Sequence, residues 1–359
     1  MQDSIPLKLS ICISTLNRAR FIAATLDSVI GQMTDECEIL VSDNASTDDT
    51  ERVVREYSIR HRRIRYIRHE TDHGVDQNYD RAVKLTRGEY CWLTADDDLF
   101  KEKAISTIIT HIRSNPSLVV VNTEFRDFSM SKIVLDRFND IWHDITYQPS
   151  ESDRLLAELG PLLAYNGCVI IRRDIWLSRH RDKYYGCWYI HLAVIFQRPL
   201  PGETHFVSEP LISYRDGNAH TYSSKTFEVG AVVWPALIWS LAPSDVAKSQ
   251  VWPRESWRDL WCLLMYRAWG YYSMMEFRDV VRPRLQRYRD AIVPAIVALV
   301  PGSLINSIYI AFYLLATPRC RLQLYRLRGL QLHRLTSSRY CIRNSRIYRL
   351  IVSPDARAG

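Results

Sequence analysis

The chain has no Gly-x-Gly-x-x-Gly after its first strand and no Gly-x-x-x-x-Gly-Lys-Ser/Thr anywhere. Dinucleotide binding on a glycine-rich turn and phosphate binding on a P-loop therefore find no support. Its eight cysteines, at 12, 37, 91, 168, 187, 262, 320 and 341, form no Cys-x-x-Cys pair, and no Cys/His cluster has zinc-finger spacing. Reduced thiols in a cytoplasmic compartment are the simplest expectation. The opening MQDSIPLKLS shows no basic patch followed by a long apolar core, so no secretory signal is read there. With 13 glycines and 15 prolines among 359 residues and no internal repeat, collagen-like and low-complexity chains are excluded. What remains is globular: 47% apolar and 24% charged residues, with enough chain for two domains or for one large domain with an appendage.

Acid is missing from one stretch. Arg319 to Arg349 carries nine arginines and no Asp or Glu, while the whole chain has a net charge of +7. Without those nine charges the remainder sums to −2, so one terminal segment makes the protein basic.

The first third alternates strand and helix signals. Leu9–Ile13, Glu38–Ser42, Ile64–Ile67, Glu89–Leu93 and Leu118–Val121 are short apolar runs suited to buried strands. Between them fall a helical pattern through Phe21, Leu26, Val29, Ile30 and Met33, a helix carrying Val53, Val54 and Tyr57 with Ser46 and Asp49 as a capping pair, and helices over Asn78–Leu85 and Lys101–Arg113. Strands separated by helices predict an α/β fold with a doubly wound, mainly parallel sheet. From 123 to 225 the signals shorten: strands over Cys168–Ile171 and Leu211–Tyr214, helices over Asp153–Leu159 and Leu192–Phe196. Beyond 226 only helices are predicted, over Phe227–Leu241, Arg254–Met275 and Phe277–Tyr288.

Acidic residues stand at the ends of two predicted strands: Asp43 after the second, and Asp96, Asp97 and Asp98 after the fourth. In an open parallel sheet the carboxyl ends of the strands form the ligand crevice. Three adjacent carboxylates repel one another unless a cation lies among them, and Mg²⁺ or Mn²⁺ prefers such oxygen donors. Helix capping accounts for one or two of the three, and equally for Asp43 alone.

The runs Ser10–Arg18 (SICISTLNR), Ile39–Asp48 (ILVSDNASTD) and Gly88–Asp98 (GEYCWLTADDD) resemble a family-2 glycosyltransferase. Gly74–Asn78, Gly88–Trp92 and Arg215–Ala219 are most similar to the abequosyltransferase branch of bacterial O-antigen synthesis. The resemblance implies a GT-A fold, a nucleotide-sugar donor, a divalent metal and inversion at the anomeric carbon. It implies a nucleotide-binding half over 1–125, an acceptor-binding half over 126–225 and a helical C-terminal region over 226–359. Thr15, Asn17 and Ser46 fall beside the nucleotide; Asp43 matches the carboxylate that accepts from a pyrimidine base; Gly74 and Asn78 match the ribose and sugar pocket. Asp97 and Asp98 match the last acids of the metal motif, whose preceding positions are Ala95 and Asp96; Asp96 and Asp97 are expected to bind the donor, and Asp97 to be catalytic. The family's usual first acid falls on Ala95, a departure that Asp96 compensates or that leaves the metal to Asp97 and the diphosphate.

Inverting transfer needs a base for the acceptor hydroxyl. The family supplies an acid from a segment like Trp188–Ala193, which here contains none; His191 is its only group titrating near neutrality. His191 is the expected base, with a histidine bonded inside a helix as the plain alternative and Asp182 or Glu209 as further candidates.

Ala291 to Thr317 is a run of 27 uncharged residues broken by Pro294 and Pro301. It predicts either a re-entrant or interfacial membrane element or packed core. The Arg-rich segment 319–349, with interleaved Leu, Tyr and Ile, suits an anionic lipid surface; a solvated face is the alternative, and no nucleic-acid module accompanies it. The sequence thus points to transfer of a hexose or dideoxyhexose to a lipid-linked oligosaccharide at the cytoplasmic membrane face. A nucleotidyltransferase with a metal–carboxylate site and a non-catalytic membrane or nucleic-acid adaptor are the competing readings.

Overall fold

The computed structural model describes residues 6–218 and 225–315. Its first four strands, β1 (Leu9–Thr15), β2 (Cys37–Asp43), β3 (Ile64–Arg68) and β4 (Tyr90–Thr94), fall on the predicted apolar runs. Every residue of β2 and β4 is buried, which is why these strands read as continuous rather than alternating runs. Helices α1 (Ile22–Ile30), α2 (Thr50–Arg60) and α3 (Val75–Leu85) connect them. β1 pairs in parallel with β2, placing Thr15 opposite Asp43, and with β4, placing Ile13 opposite Thr94. Parallel register therefore brings the carboxyl ends of β1, β2 and β4 to one edge.

The chain continues through β5 (Leu99–Phe100), α4 (Ala104–Ile112), β6 (Leu118–Arg126), β7 (Ile133–Leu135), β8 (Ile145–Tyr147), α5 (Ser152–Leu159), β9 (Val169–Arg172), α6 (Arg173–Leu177), α7 (Ile190–Phe196) and β10 (Thr204–Arg215). The sheet order is β3-β2-β1-β4-β9-β6-β10-β5, with β7 on β6 and β8 on β10. The sheet is more mixed than the alternation predicts. β9 runs antiparallel between β4 and β6, and among the described residues only the β1–β2, β1–β4, β2–β3 and β6–β10 ladders are parallel. β10 extends well before Leu211; its register shifts around Pro210, which has no N–H to give the ladder and hides the strand from a pattern reading.

The start of α2 also differs from expectation. Ser46 and Asp49 do not form a capping pair. Asp48 accepts the Thr50 backbone N–H at 3.0 Å and the Ala19 N–H at 3.1 Å, so its carboxylate caps α2 and closes the β1–α1 turn together.

The chain divides into two compact units, one of residues 1–218 and 240–251, the other of 219–239 and 252–359. Residues on both sides of 125 thus share the first unit, and the chain returns to it at 240. In the second, Phe227, Leu263, Tyr266, Tyr272, Val281 and Val297 form the core. The predicted helix 254–275 is shortened to Leu260–Ala268, begun by Asp259, whose carboxylate accepts from Cys262 N–H at 2.9 Å. The apolar run forms two helices, Ile292–Leu299 and Gly302–Leu315, separated at Pro301. Arg319–Arg349 lies outside the described residues.

Candidate active site at the strand ends

Asp96, Asp97 and Asp98 leave β4 in three different environments. Asp98 is almost wholly buried; its Oδ2 accepts the Tyr165 hydroxyl at 2.5 Å and its Oδ1 the Arg215 backbone N–H at 2.8 Å. Burial, and then the charge on Asp97, push its carboxyl well above the usual range. Asp96 lies beside the Thr15 hydroxyl and pairs with Arg18 at 3.3 Å; burial and Asp97 push it up to about 7. Asp97 is the more open of the three and accepts from Asn218 Nδ2 at 2.5 Å. Asp96 and Asp97 therefore face the strand-end edge, whereas Asp98 is a brace between β4, the Tyr165 segment and β10. Asp98, expected beside Asp97 in the metal motif, is more deeply buried than Asp97 and is held between Tyr165 and Arg215.

Asp43 ends β2 fully buried. Its Oδ1 accepts Ser46 N–H at 2.8 Å and its Oδ2 the Tyr66 hydroxyl at 2.6 Å. Each carboxylate oxygen keeps one further lone pair for a ligand donor. Ser46 Oγ in turn accepts Asn17 N–H at 2.8 Å, and Asn17 Oδ1 accepts Thr47 N–H at 2.7 Å. Asn17 has a positive φ of 56°, a conformation Asn tolerates, and this turns the β1 end toward the β2 loop. Thr15, Asn17, Asp43 and Ser46 are thus brought together.

Gly74 begins α3 with φ 83°, where a side chain is strained, and donates its N–H to Asp72 at 2.8 Å. Asn78 is placed differently from expectation. It is 1% exposed, accepts from Ser42 Oγ at 2.6 Å and donates to Ser14 Oγ at 2.7 Å and Ser42 O at 2.9 Å. With one acceptor and two donors engaged, its amide fastens β1 to β2 beneath the site and does not line a pocket.

His191 is a correction. Its imidazole is buried in α7, Nε2 donates to Leu163 O at 2.7 Å, and burial pushes its pKa down to about 4. A base must reach the proton it takes, and this ring is committed to backbone. Asp182 is exposed on the turn Asp182–Tyr184, and Glu209 is exposed 3.8 Å from Arg137. Neither is drawn to Asp97. The carboxylate that does reach the Trp188–Ala193 segment is Asp76 of α3, which accepts N–H groups from Gly186 (2.8 Å), Trp188 (2.9 Å) and Ile190 (3.1 Å).

The profile described as Glycosyl transferase family 2 matches residues 10–176, the stretch that builds this edge. These residues belong to glycosyl transferase family 2. Abequosyltransferase RfbV of Salmonella typhimurium is 26% identical over 224 residues, covering 58% of this chain and 67% of that protein. Further curated relatives are matched over 18% to 58% of their own length. Two solved structures share the fold: TarS 1-349 of S. aureus in complex with UDP (TM-score 0.51, 15% identity, 90% of this chain and 87% of that one) and the mannosyltransferase PcManGT of Pyrobaculum calidifontis in complex with GDP-Man and Mn²⁺ (TM-score 0.51, 14%, 91% and 87%). The chain is a glycosyltransferase.

No group of three His, Cys, Asp or Glu side chains converges on a metal position among the described residues of this glycosyltransferase. The donors nonetheless suit a hard cation. Asn218 Oδ1 is a buried oxygen with no partner, on the amide whose nitrogen meets Asp97. Together with Asp96 and Asp97 it offers only oxygen, the donor set of Mg²⁺ or Mn²⁺.

Sequence reasoning missed the cations and the clamps. Arg18 pairs with Asp96, and Arg215 donates Nε to Asp97 O at 2.9 Å while lying 5.1 Å over Phe21. Tyr165, Asp76 and Asp80 also went unread. Asp80 is buried and gathers Trp176 (2.9 Å), Tyr185 (2.5 Å), Lys84 (2.6 Å) and Arg181 (2.7 Å). The quoted motifs contained Arg18, Asp76 and Arg215, but only the fold reveals their partners.

Proposed function

We propose that the chain is an inverting glycosyltransferase that moves a hexose or dideoxyhexose from a nucleotide sugar to a lipid-linked oligosaccharide in bacterial surface-polysaccharide synthesis. The observation that carries this is the parallel register that sets Asp43 at the end of β2 and Asp96–Asp97 just past β4 on one edge of a family-2 domain. The name of the Salmonella relative supports a deoxygenated sugar.

In this reading the acceptor oxygen bonds to the anomeric carbon as the bond to the diphosphate oxygen breaks. The nucleoside diphosphate leaves, and the hydroxyl proton passes to a base. Asp43 accepts a hydrogen bond from the base of a pyrimidine nucleotide. Thr15, Asn17 and Ser46 shape the wall beside it. Gly74 opens the start of α3 toward the sugar. Asp96, Asp97 and Asn218 would hold a divalent cation, which when bound supplies positive charge to the departing diphosphate. Asp97 is the one catalytic side chain assigned here, and Arg18 sets the orientation of Asp96.

A second observation supports work at a membrane. In Ile292–Leu299 and Gly302–Leu315, Pro294, Val297, Ala298 and Ile305 are buried, yet Ile292, Val293, Ile296, Leu299, Leu304, Ile308 and Phe312 are about half exposed or more. Among the described residues no single helix is long and apolar enough to cross a membrane, but the pair Tyr288–Leu299 and Gly302–Phe312, bent by 81°, passes that test together. One face of these helices packs against the unit's core, as the packed-core expectation has it, and the exposed apolar face supports the interfacial reading. An interfacial element followed by nine arginines suits the anionic cytoplasmic leaflet.

The test is thermal stabilisation of the purified chain by a panel of nucleotide sugars with Mn²⁺. A bound donor raises Tm by mass action. A shift with at least one donor and none with the matching free sugar is expected; no shift with any nucleotide sugar overturns the proposal.

A further inference from the structure

Trp142 lies on the loop between β7 and β8 with 67% of its surface exposed, in a chain whose Trp92 and Trp176 are fully buried. The ring is not loose. Its Nε1 donates to Asp140 at 2.9 Å, and the guanidinium of Arg137, itself only 12% exposed, lies over the ring at 4.1 Å. The indole therefore rests against a largely covered cation, and two thirds of its surface remains exposed. Covering Arg137 alone does not require so much of the ring to remain in solvent.

The ring borders a shallow, open depression of about 590 Å³ shared with Asn139, Asp140, His143, Arg154 and Glu158. That size falls in the range of small-ligand pockets, about 300–1,000 Å³. The walls are already set. Tyr147 donates to Glu158 at 2.6 Å, Arg154 to Glu158 at 3.0 Å, and Asn139 Nδ2 to Glu158 O at 2.9 Å. A ligand meeting such walls loses little to reorganisation.

An apolar flat face ringed by carboxylates, an imidazole and a guanidinium selects a molecule with one apolar face and many hydroxyls. A pyranose ring has that character: its C–H face stacks on an aromatic ring while its hydroxyls both donate and accept. The site is not the strand-end edge. The Trp142 loop is tied to Ser208, where Asp144 accepts its N–H at 2.9 Å, and β10 then runs seven residues to Arg215. At about 3.3 Å per residue this separates the two by roughly 20 Å.

We propose that Trp142 is the platform of a second saccharide-binding site, which holds a sugar of the growing glycan away from the reacting end. Only the source of that glycan rests on the glycosyltransferase reading. The test presents the full chain, fluorescently labelled, to an array of lipid-free oligosaccharides released from bacterial surface polysaccharides, and records nucleotide-sugar stabilisation in parallel. Wild type is expected to retain a subset of glycans, Trp142→Ala to lose that retention at least tenfold, and Trp142→Phe to keep part of it, with all three stabilised equally by donor. An unchanged glycan pattern in Trp142→Ala, or no glycan retained by wild type, overturns the site. Glycan retention without any donor-induced shift counts against the proposed function and leaves this site standing.

Discussion

The Tyr165 hydroxyl lies 2.5 Å from Asp98 Oδ2, and this contact joins segments 67 residues apart in sequence at the end of β4. Gly167 permits it, since a Cβ there would fall 2.0 Å from the Tyr165 oxygen. Tyr165→Phe leaves a buried carboxyl without one donor, a loss of about 1–3 kcal/mol. A fall in denaturation midpoint is expected, with a similar fall for Gly167→Ala as the tyrosine is displaced. If Tyr165→Phe unfolds at the wild-type midpoint, Asp98 is not braced by this contact.

His191 gives the fold a pH dependence. Its pKa falls from the ordinary 6.5 to about 4, since burial disfavours the imidazolium. Below pH 6.5 the unfolded chain takes up the proton first, so stability falls as pH drops from 6.5 to about 4. At 1.36 kcal/mol per unit, the loss totals about 3 kcal/mol. Urea melts across that window should show the slope in wild type and a smaller one in His191→Gln. Equal slopes would mean that His191 titrates normally.

Much of this was legible in advance and some was not. Leu9–Ile13 and Glu38–Ser42 were plain as strands because burial on both faces leaves a continuous apolar run. The strand-end acids were plain because parallel strands share one carboxyl edge. The antiparallel insertion of β9 was not, since Val169–Arg172 reads as a strand in either direction. The bracing of Asp98 depends on Tyr165, and the burial of His191 on Leu163, both contacts between distant segments. Neither leaves a periodic signal.

Asp43 is expected to set donor affinity. Asp43→Ala should weaken nucleotide-sugar binding by about 1–3 kcal/mol, measured by titration calorimetry, if one charge-assisted hydrogen bond is lost. Tyr66→Phe removes a partner of Asp43 but not the carboxylate, so donor binding should largely persist. Wild-type affinity in Asp43→Ala would take this residue out of the site.

The bare helical face is expected to bind lipid. Ile296→Glu and Ile308→Glu change side chains 54% and 58% exposed, so the fold should tolerate them. Co-sedimentation with vesicles containing phosphatidylserine should fall severalfold in each, and wild-type binding should weaken at high salt as the arginine charges are screened. Undiminished sedimentation of both variants would place the anchor elsewhere.

The reaction product is the most direct measure of the central claim. The full chain is incubated with the stabilising nucleotide sugar, Mn²⁺ and a lipid extract, and the released nucleotide is resolved by chromatography. Attack at the anomeric carbon liberates a nucleoside diphosphate, whereas attack at a phosphorus of the same donor liberates a sugar phosphate or a nucleoside monophosphate. The account predicts nucleoside diphosphate in step with sugar appearing in the lipid fraction, reduced by orders of magnitude in a folded Asp97→Ala variant. Release of sugar phosphate or nucleoside monophosphate, or undiminished transfer by Asp97→Ala, would contradict it.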